Sequence, residues 1–224
     1  HYPLRRQRQM CIRDSFSGVL TQAANRGLVL TKLGIGTQTL SGSTDNTAAT
    51  LNNGSTPAVQ GFVTNIQAGT LILNKTAKIA LPGNVNISGG TLQLSGTGDN
   101  QIADAAGVSM SGGSFDLNGR SEAIGAFTLT SAGTTTLTLG ANKTFTTTGA
   151  VTIGGASGTT NLTLTGATGT YAATAVGGGA SNANFYIGGG GTATGTVDMS
   201  GLGTFTANLG TGTFSVGNGA TNGS

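Results

Sequence analysis

Apolar residues recur along this chain in short x-apolar-x-apolar runs, and the runs advance in step. One set is Leu71/Leu73, Leu92/Leu94, Phe115/Leu117 and Leu137/Leu139. A second is Ile79, Ile102, Ile124 and Phe145, and a third is Val85/Ile87, Val108/Met110, Phe127/Leu129 and Val151/Ile153. All three sets cover the same length of chain: Leu71 to Leu137, Ile79 to Phe145 and Val85 to Val151 are equal intervals, each taken in three steps. Side chains of a strand alternate with period 2, so both apolar residues of a run share one face. A repeat of about 22 residues carrying three short strands predicts an all-β solenoid, a parallel β-helix in which residues one period apart stack ~4.8 Å from each other.

The regularity varies along the chain. Residues 69–164 hold the regular rungs. Residues 165–224 hold looser ones. Leu162/Leu164, Tyr171 and Val176 make a rung set further from its predecessor than the earlier rungs are from theirs. Phe185/Ile187, Val197/Met199, Phe205 and Phe214/Val216 follow between glycine runs. Upstream, Leu28/Leu30, Leu40, Val63 and Leu71/Leu73 open the array, while the polar stretch 43–60, with Pro57, reads as an inserted loop. The turns carry Gly89-Gly90, Gly112-Gly113, Asn118-Gly119 and Asp99-Asn100, residue types that tolerate the positive φ of a sharp corner. Asn-Gly also marks hairpins, but the longer fixed period favours a coil. About nine such rungs would form a rod of roughly 45 Å.

Composition supports this reading. Charged residues are 8% of the chain, there are 41 glycines and no Trp, and 36% of residues are hydrophobic. Disorder usually joins low hydrophobicity to high net charge, which is not the pattern here. The formal charge of +3 comes from the first residues: Arg5, Arg6, Arg8 and Arg13 precede Ser15, with Asp14 the one acid among them. Beyond residue 15, Lys32, Lys75, Lys78, Lys143, Arg26 and Arg120 balance Asp45, Asp99, Asp104, Asp116, Glu122 and Asp198. The basic pI is therefore no argument for nucleic-acid binding.

Residues 1–15 do not follow the rules of residues 16–224. They hold the single His, the single Cys and no Gly or Thr. The run RRQRQMCIRDS resembles translated sequencing-adapter read-through; the alternative is a disordered basic arm. Either way these residues are expected to lie outside the fold, with no role for His1 or Cys11. On the first reading the frame opens within a longer gene, and the want of a signal peptide carries no information. The ending Thr-Asn-Gly-Ser likewise suggests a truncated array.

Candidate chemistry is sparse. Residues 16–224 offer no His or Cys for a Ser-His-Asp or Cys-His arrangement or a His/Cys metal cluster. No Gly-Lys-Ser/Thr follows the glycine runs, so they do not read as a phosphate loop. Gly96-Thr97-Gly98-Asp99-Asn100 has some likeness to a calcium-binding β-roll nonapeptide, which works in tandem copies; a single copy reads as an ordinary turn. Asp104, Asp116 and Glu122 invite comparison with the acidic clusters of β-helix polysaccharide lyases and hydrolases. Asp116, between inward Phe115 and Leu117, should point outward, and Arg120 with Glu122 reads as a solvated turn with a weak surface ion pair. The expectation is no catalytic, cofactor-binding or metal residue, no cofactor and no enzyme activity.

Two stretches resemble a known family. Leu30-Thr31-Lys32-Leu33-Gly34-Ile35-Gly36-Thr37-Gln38-Thr39-Leu40-Ser41-Gly42, with Ala68-Gly69-Thr70-Leu71-Ile72-Leu73-Asn74, is similar to the autotransporter-associated β-strand repeat (passenger-associated transport repeat), LTKxGxGTLTLSG followed by GTLxLN. Gln38 stands where that repeat commonly has Leu, and residues 43–60 make the connection longer than usual. Residues 90–94, 100–104 and 114–119, with Glu122 and Ile124-Gly125, look like the segment that follows this repeat in large bacterial surface proteins. The resemblance implies a right-handed parallel β-helix in a secreted or outer-membrane-anchored passenger region, supporting passenger folding and export. The expected role is a stalk, display or adhesion scaffold at the cell surface, with surface glycans or proteins as partners. An outer-membrane translocator domain is expected outside this stretch, and end-to-end self-association is open. The alternatives are a non-catalytic part of a carbohydrate-active β-helix enzyme and a self-assembling extracellular matrix or filament protein.

Overall fold

The computed structural model describes residues 13–22, 27–48, 50–51, 59–130, 133–155, 159–174, 184–188 and 194–217. Every regular element among them is a strand, and nearly all pairing is parallel. One sheet has ten strands: β1 (Arg13–Phe16), β3 (Thr37–Gly42), β7 (Thr70–Lys75), β9 (Thr91–Leu94), β11 (Ser114–Asp116), β14 (Gly133–Thr138), β17 (Thr159–Thr174), β15 (Thr144–Thr147) and β12 (Glu122–Ile124), in that order, with β19 (Thr194–Asn208) also paired to β17. The second sheet has eight: β2 (Leu28–Lys32), β6 (Phe62–Ile66), β8 (Asn84–Ile87), β10 (Val108–Met110), β13 (Phe127–Leu129), β16 (Val151–Ile153), β18 (Phe185–Ile187) and β20 (Phe214–Val216). From β6 to β11 the chain visits the two sheets in turn, and each strand pairs with the strand its own sheet received one pass earlier. This is a β-helix-like arrangement with a shared interior.

The first and third apolar sets form the walls of that interior. Leu71 is the register partner of Leu92, Leu92 of Phe115 and Phe115 of Leu137. On the facing sheet Val85, Val108, Phe127 and Val151 stand in one column and Ile87, Met110, Leu129 and Ile153 in the next. These residues are buried and belong to one core cluster. The outward positions are largely Thr, Ser, Asn and Gln, which suit a half-exposed pleated face. At the corner before β7, β9 and β11, Gly69, Gly90 and Gly113 all have φ near +70°. A Cβ at Gly90 or Gly113 would run into the backbone of the preceding pass, so the column of glycines lets successive corners close together.

Five details depart from the sequence pattern. In β6 the inward residues are Phe62, Thr64 and Ile66, and Val63 faces out. Ile102 bridges to Leu81 rather than to Ile79, and Phe145 pairs with Glu122 rather than with Ile124, whose partner is Thr147. Leu137 pairs with Leu164 rather than Leu162, because buried Thr135 takes the inward place opposite Leu162. Val151 is continued by Phe185; Val176, expected in that place, lies outside the described residues.

The expected boundary between residues 15 and 16 falls inside β1, whose residues pair with Thr37 to Leu40; residues 1–12, with His1 and Cys11, lie outside the described set. Within 43–60, β4 (Thr50–Leu51) and β5 (Val59–Gln60) form a two-residue antiparallel pair. Pro57 lies outside the described residues. β17 is unusually long because it serves two neighbours: Thr160 to Thr165 pair with β14, and Thr170 to Ala173 pair with β15.

Candidate functional site

Apart from Thr hydroxyls, few polar groups enter the core, and three of them form one line. Lys75, Gln101 and Glu122 are 1%, 0% and 2% exposed. Period-2 alternation explains two of these placements: Lys75 continues the inward Leu71/Leu73 series, and Glu122 shares a face with Ile124. The Gln101 side-chain oxygen accepts the Lys75 backbone N–H at 2.7 Å, and its amide donates to the carbonyls of Ser95 (3.0 Å) and Gly98 (3.2 Å). One Glu122 oxygen accepts the Gln101 backbone N–H at 2.8 Å, and the other accepts that of Ile102 at 3.2 Å. The Lys75 ammonium donates to the Thr44 carbonyl at 2.7 Å. Removing these groups from water is offset because the Gln101 amide, the Glu122 carboxyl and the Lys75 ammonium all find hydrogen-bond partners.

This line sits at a corner where strand pairing lapses: Leu81 and Ile102 meet only in an isolated bridge. Polar side chains take over the backbone ties on the exposed side too. Asp45 accepts the Ile79 N–H at 2.7 Å, Asp99 that of Ser121 at 3.0 Å, and Asn100 that of Ala123 at 3.2 Å.

Burial pushes the Glu122 carboxyl up to about 8; the N–H groups of Gln101, Ile102 and Ala123 oppose this in part, and the nearby Asp104 charge adds to it. Burial lowers the Lys75 ammonium, with Asp45 acting the other way. A cleft of about 160 Å³ beside this corner is lined by Asp99, Asn100, Ser121, Thr144 and Thr146. A larger cavity, about 640 Å³, lies between β1, β2 and β3, with Leu30, Leu40 and Leu71 among its lining residues.

The three acids singled out from the sequence each bind different partners. Glu122 turns inward, which corrects its reading as a solvated turn paired with Arg120; the Arg120 Nε is buried without a hydrogen-bond partner. Asp116 accepts from the Gln93 side chain at 2.8 Å and from the Asn118 N–H at 2.8 Å. Asp104 accepts from the Asn100 side chain at 2.8 Å. In the Gly96–Asn100 turn, Asn100 has φ +58°, and Asp99 meets Lys143 at 3.4 Å. No group of three or more His, Cys, Asp or Glu side chains among the described residues could hold a metal ion. No helix of the described residues is long and apolar enough to cross a membrane.

Comparisons with protein-family models, curated proteins and solved structures gave no match. The geometry therefore stands alone, and what it supports is mechanical joining of successive passes.

A second buried cation lies in the LTKxGxGT stretch. Lys32 ends β2 on the inward face, 8% exposed, and its ammonium donates to the carbonyls of Leu33 (2.9 Å), Gly34 (2.8 Å) and Ala68 (3.1 Å). Burial lowers its affinity for the proton. Lys32 is the Lys of LTKxGxGT and Gln101 lies in the 100–104 segment, but neither likeness marks them as buried, and Lys75 belongs to no motif. Extending the alternation by one step from Leu28/Leu30 and from Leu71/Leu73 marks both lysines as inward, whereas Gln101 carries no such signal.

Proposed function

We propose that this chain is a structural β-solenoid segment of a bacterial secreted or cell-surface protein of the autotransporter type, acting as a stalk, display or adhesion scaffold and supporting export of its passenger region. On this reading the passes are rungs of a right-handed parallel β-helix, each of about 22 residues in the regular core. The observation that carries the proposal is the unbroken register from Leu71 through Leu92 and Phe115 to Leu137, matched on the facing sheet from Val85 to Val151. The LTKxGxGT likeness adds support, since Lys32 and Gly69 of its two halves meet in one corner.

The test fuses the chain between a secretion signal and an outer-membrane β-barrel translocator. The proposal expects protease-resistant protein on intact cells, and export in an unfolded, protease-labile form would overturn it. Glycan-array screening then asks whether surface glycans are partners.

A second reading, a self-assembling extracellular matrix or filament protein, is favoured by one observation. The edge strand β20 leaves Phe214 and Val216 exposed at 43% and 66%. Light scattering over a concentration series separates the two, because growth with concentration belongs to the second reading only.

A further inference from the structure

The walls of the core have an ambiguity that their apolar pattern cannot resolve. Leu71/Leu73, Leu92/Leu94 and Phe115/Leu117 each present two inward residues. Sliding one strand by two residues against its neighbour keeps every side chain on the same face, so burial alone penalises the error weakly. Strands of three to six residues make such slips easier still.

The line Lys75–Gln101–Glu122 is not indifferent to a slip. Gln101 uses its one oxygen and both amide hydrogens, on Lys75, Ser95 and Gly98. Glu122 uses both oxygens, on adjacent backbone N–H groups of the previous pass. A two-residue displacement moves these acceptors roughly 6.6 Å along the strand, beyond any hydrogen bond. The result is several buried polar groups without partners, which burial away from water penalises.

We infer that Gln101 and Glu122 are the pairing key of this fold: they select one alignment of β7, β9 and β11 from those that the apolar columns permit. The key links three successive passes, through Lys75, Gln101 and Glu122 in turn. It also accounts for two polar side chains held in a core that hydrophobic residues could fill. Buried polar groups can set alignment in this way at some expense of stability.

Register can be read by disulfide trapping in a Cys11→Ser background. Thr91 and Ser114 are direct partners, with hydroxyls 3.0 Å apart, so Thr91→Cys/Ser114→Cys reports the native alignment. Gln93 partners Asp116, so Gln93 and Ser114 lie on a diagonal of roughly 8 Å, too far for a disulfide until the strand slips by two.

With Gln101 and Glu122 intact, only the first pair should oxidise. In Gln101→Leu/Glu122→Leu the second should appear at a tenth or more of the yield of the first, and Glu122→Gln, which keeps an acceptor, should restore the native pattern. A second pair no more oxidised in the double variant than in the parent would overturn the inference. Should the double variant yield no soluble protein, Gln101→Leu alone, which cuts the tie to Lys75, is read by the same two outcomes.

Discussion

Glu122 is the register partner of Phe145, so a carboxyl opens a column that continues with Phe145, Tyr171 and Phe205. The ring of Phe145 meets those of Phe115 and Phe127 edge-on, at 5.9 Å each, and that of Tyr171 at 5.3 Å. One pass supplies an acid that ties the corner backbone together, and the next three supply aromatic mass.

Stability should fall as pH rises. The folded protein holds a proton on Glu122 up to a pH of about 8, whereas the unfolded chain releases it near 4.5. Between those values the folded state binds more protons, so the contribution is fully present below pH 4.5 and is lost as pH climbs through 8. The loss is of order 5 kcal/mol at most. Urea midpoints of the parent should be lower at pH 8.5 than at pH 5, and Glu122→Gln should remove most of that slope. Parallel slopes in the two proteins would contradict the assignment.

Phe145→Ala should cost about 3–5 kcal/mol, the range for emptying a buried aromatic site. Phe214→Ala, half-exposed on the edge strand and stacked on Phe185 at 5.0 Å, should cost less, about 1–2 kcal/mol. Equal losses in urea denaturation would mean that the aromatic column does not sit in the core.

Gly69→Ala and Gly119→Ala separate backbone strain from crowding. Both residues have φ near +70°, and the substitution at Gly119 meets open space, so strain alone should cost about 1–2 kcal/mol. A Cβ at Gly69 collides with the carbonyls of Gly34 and Gly36, and the loss there should be at least double. Thermal unfolding of the two variants side by side decides the matter.

Lys32→Met keeps the volume but leaves the carbonyls of Leu33, Gly34 and Ala68 without their donor, at about 1–3 kcal/mol. Lys78→Met breaks an exposed contact with Asp45 at 3.7 Å and should change stability by under about 0.5 kcal/mol. Comparable urea midpoints for both variants would show that the buried ammonium does not hold the turn.

The two main sheets were legible because burial on one face writes itself into the sequence with period 2. Val85, Val108, Phe127 and Val151 align as their pattern predicts, although the step from Val108 to Phe127 is shorter than those on either side of it. The third-strand columns tolerate that unevenness because the turns between strands absorb it. The set from Ile79 to Phe145 failed at both ends. Ile79 has its N–H held by Asp45 and gives its place to Leu81, and Glu122 occupies a position that an apolar rule assigns elsewhere. Hydropathy ranks a carboxyl as a surface group. It does not register that two unpaired N–H groups of the preceding pass make an interior socket for one. Val63 failed for a simpler reason: Phe62, Val63 and Ile66 are all apolar, and only their pairing with β2 and β8 decides which face is inward.

Parallel pairing pass upon pass also fixes how the molecule meets a load. A pull applied at the two ends of the described chain bears on one boundary strand at a time, so bonds part in sequence instead of sharing the force. Extension would proceed as a staircase of small releases. Its treads would be uneven: short where Val108 gives way to Phe127, and long where Val151 gives way to Phe185.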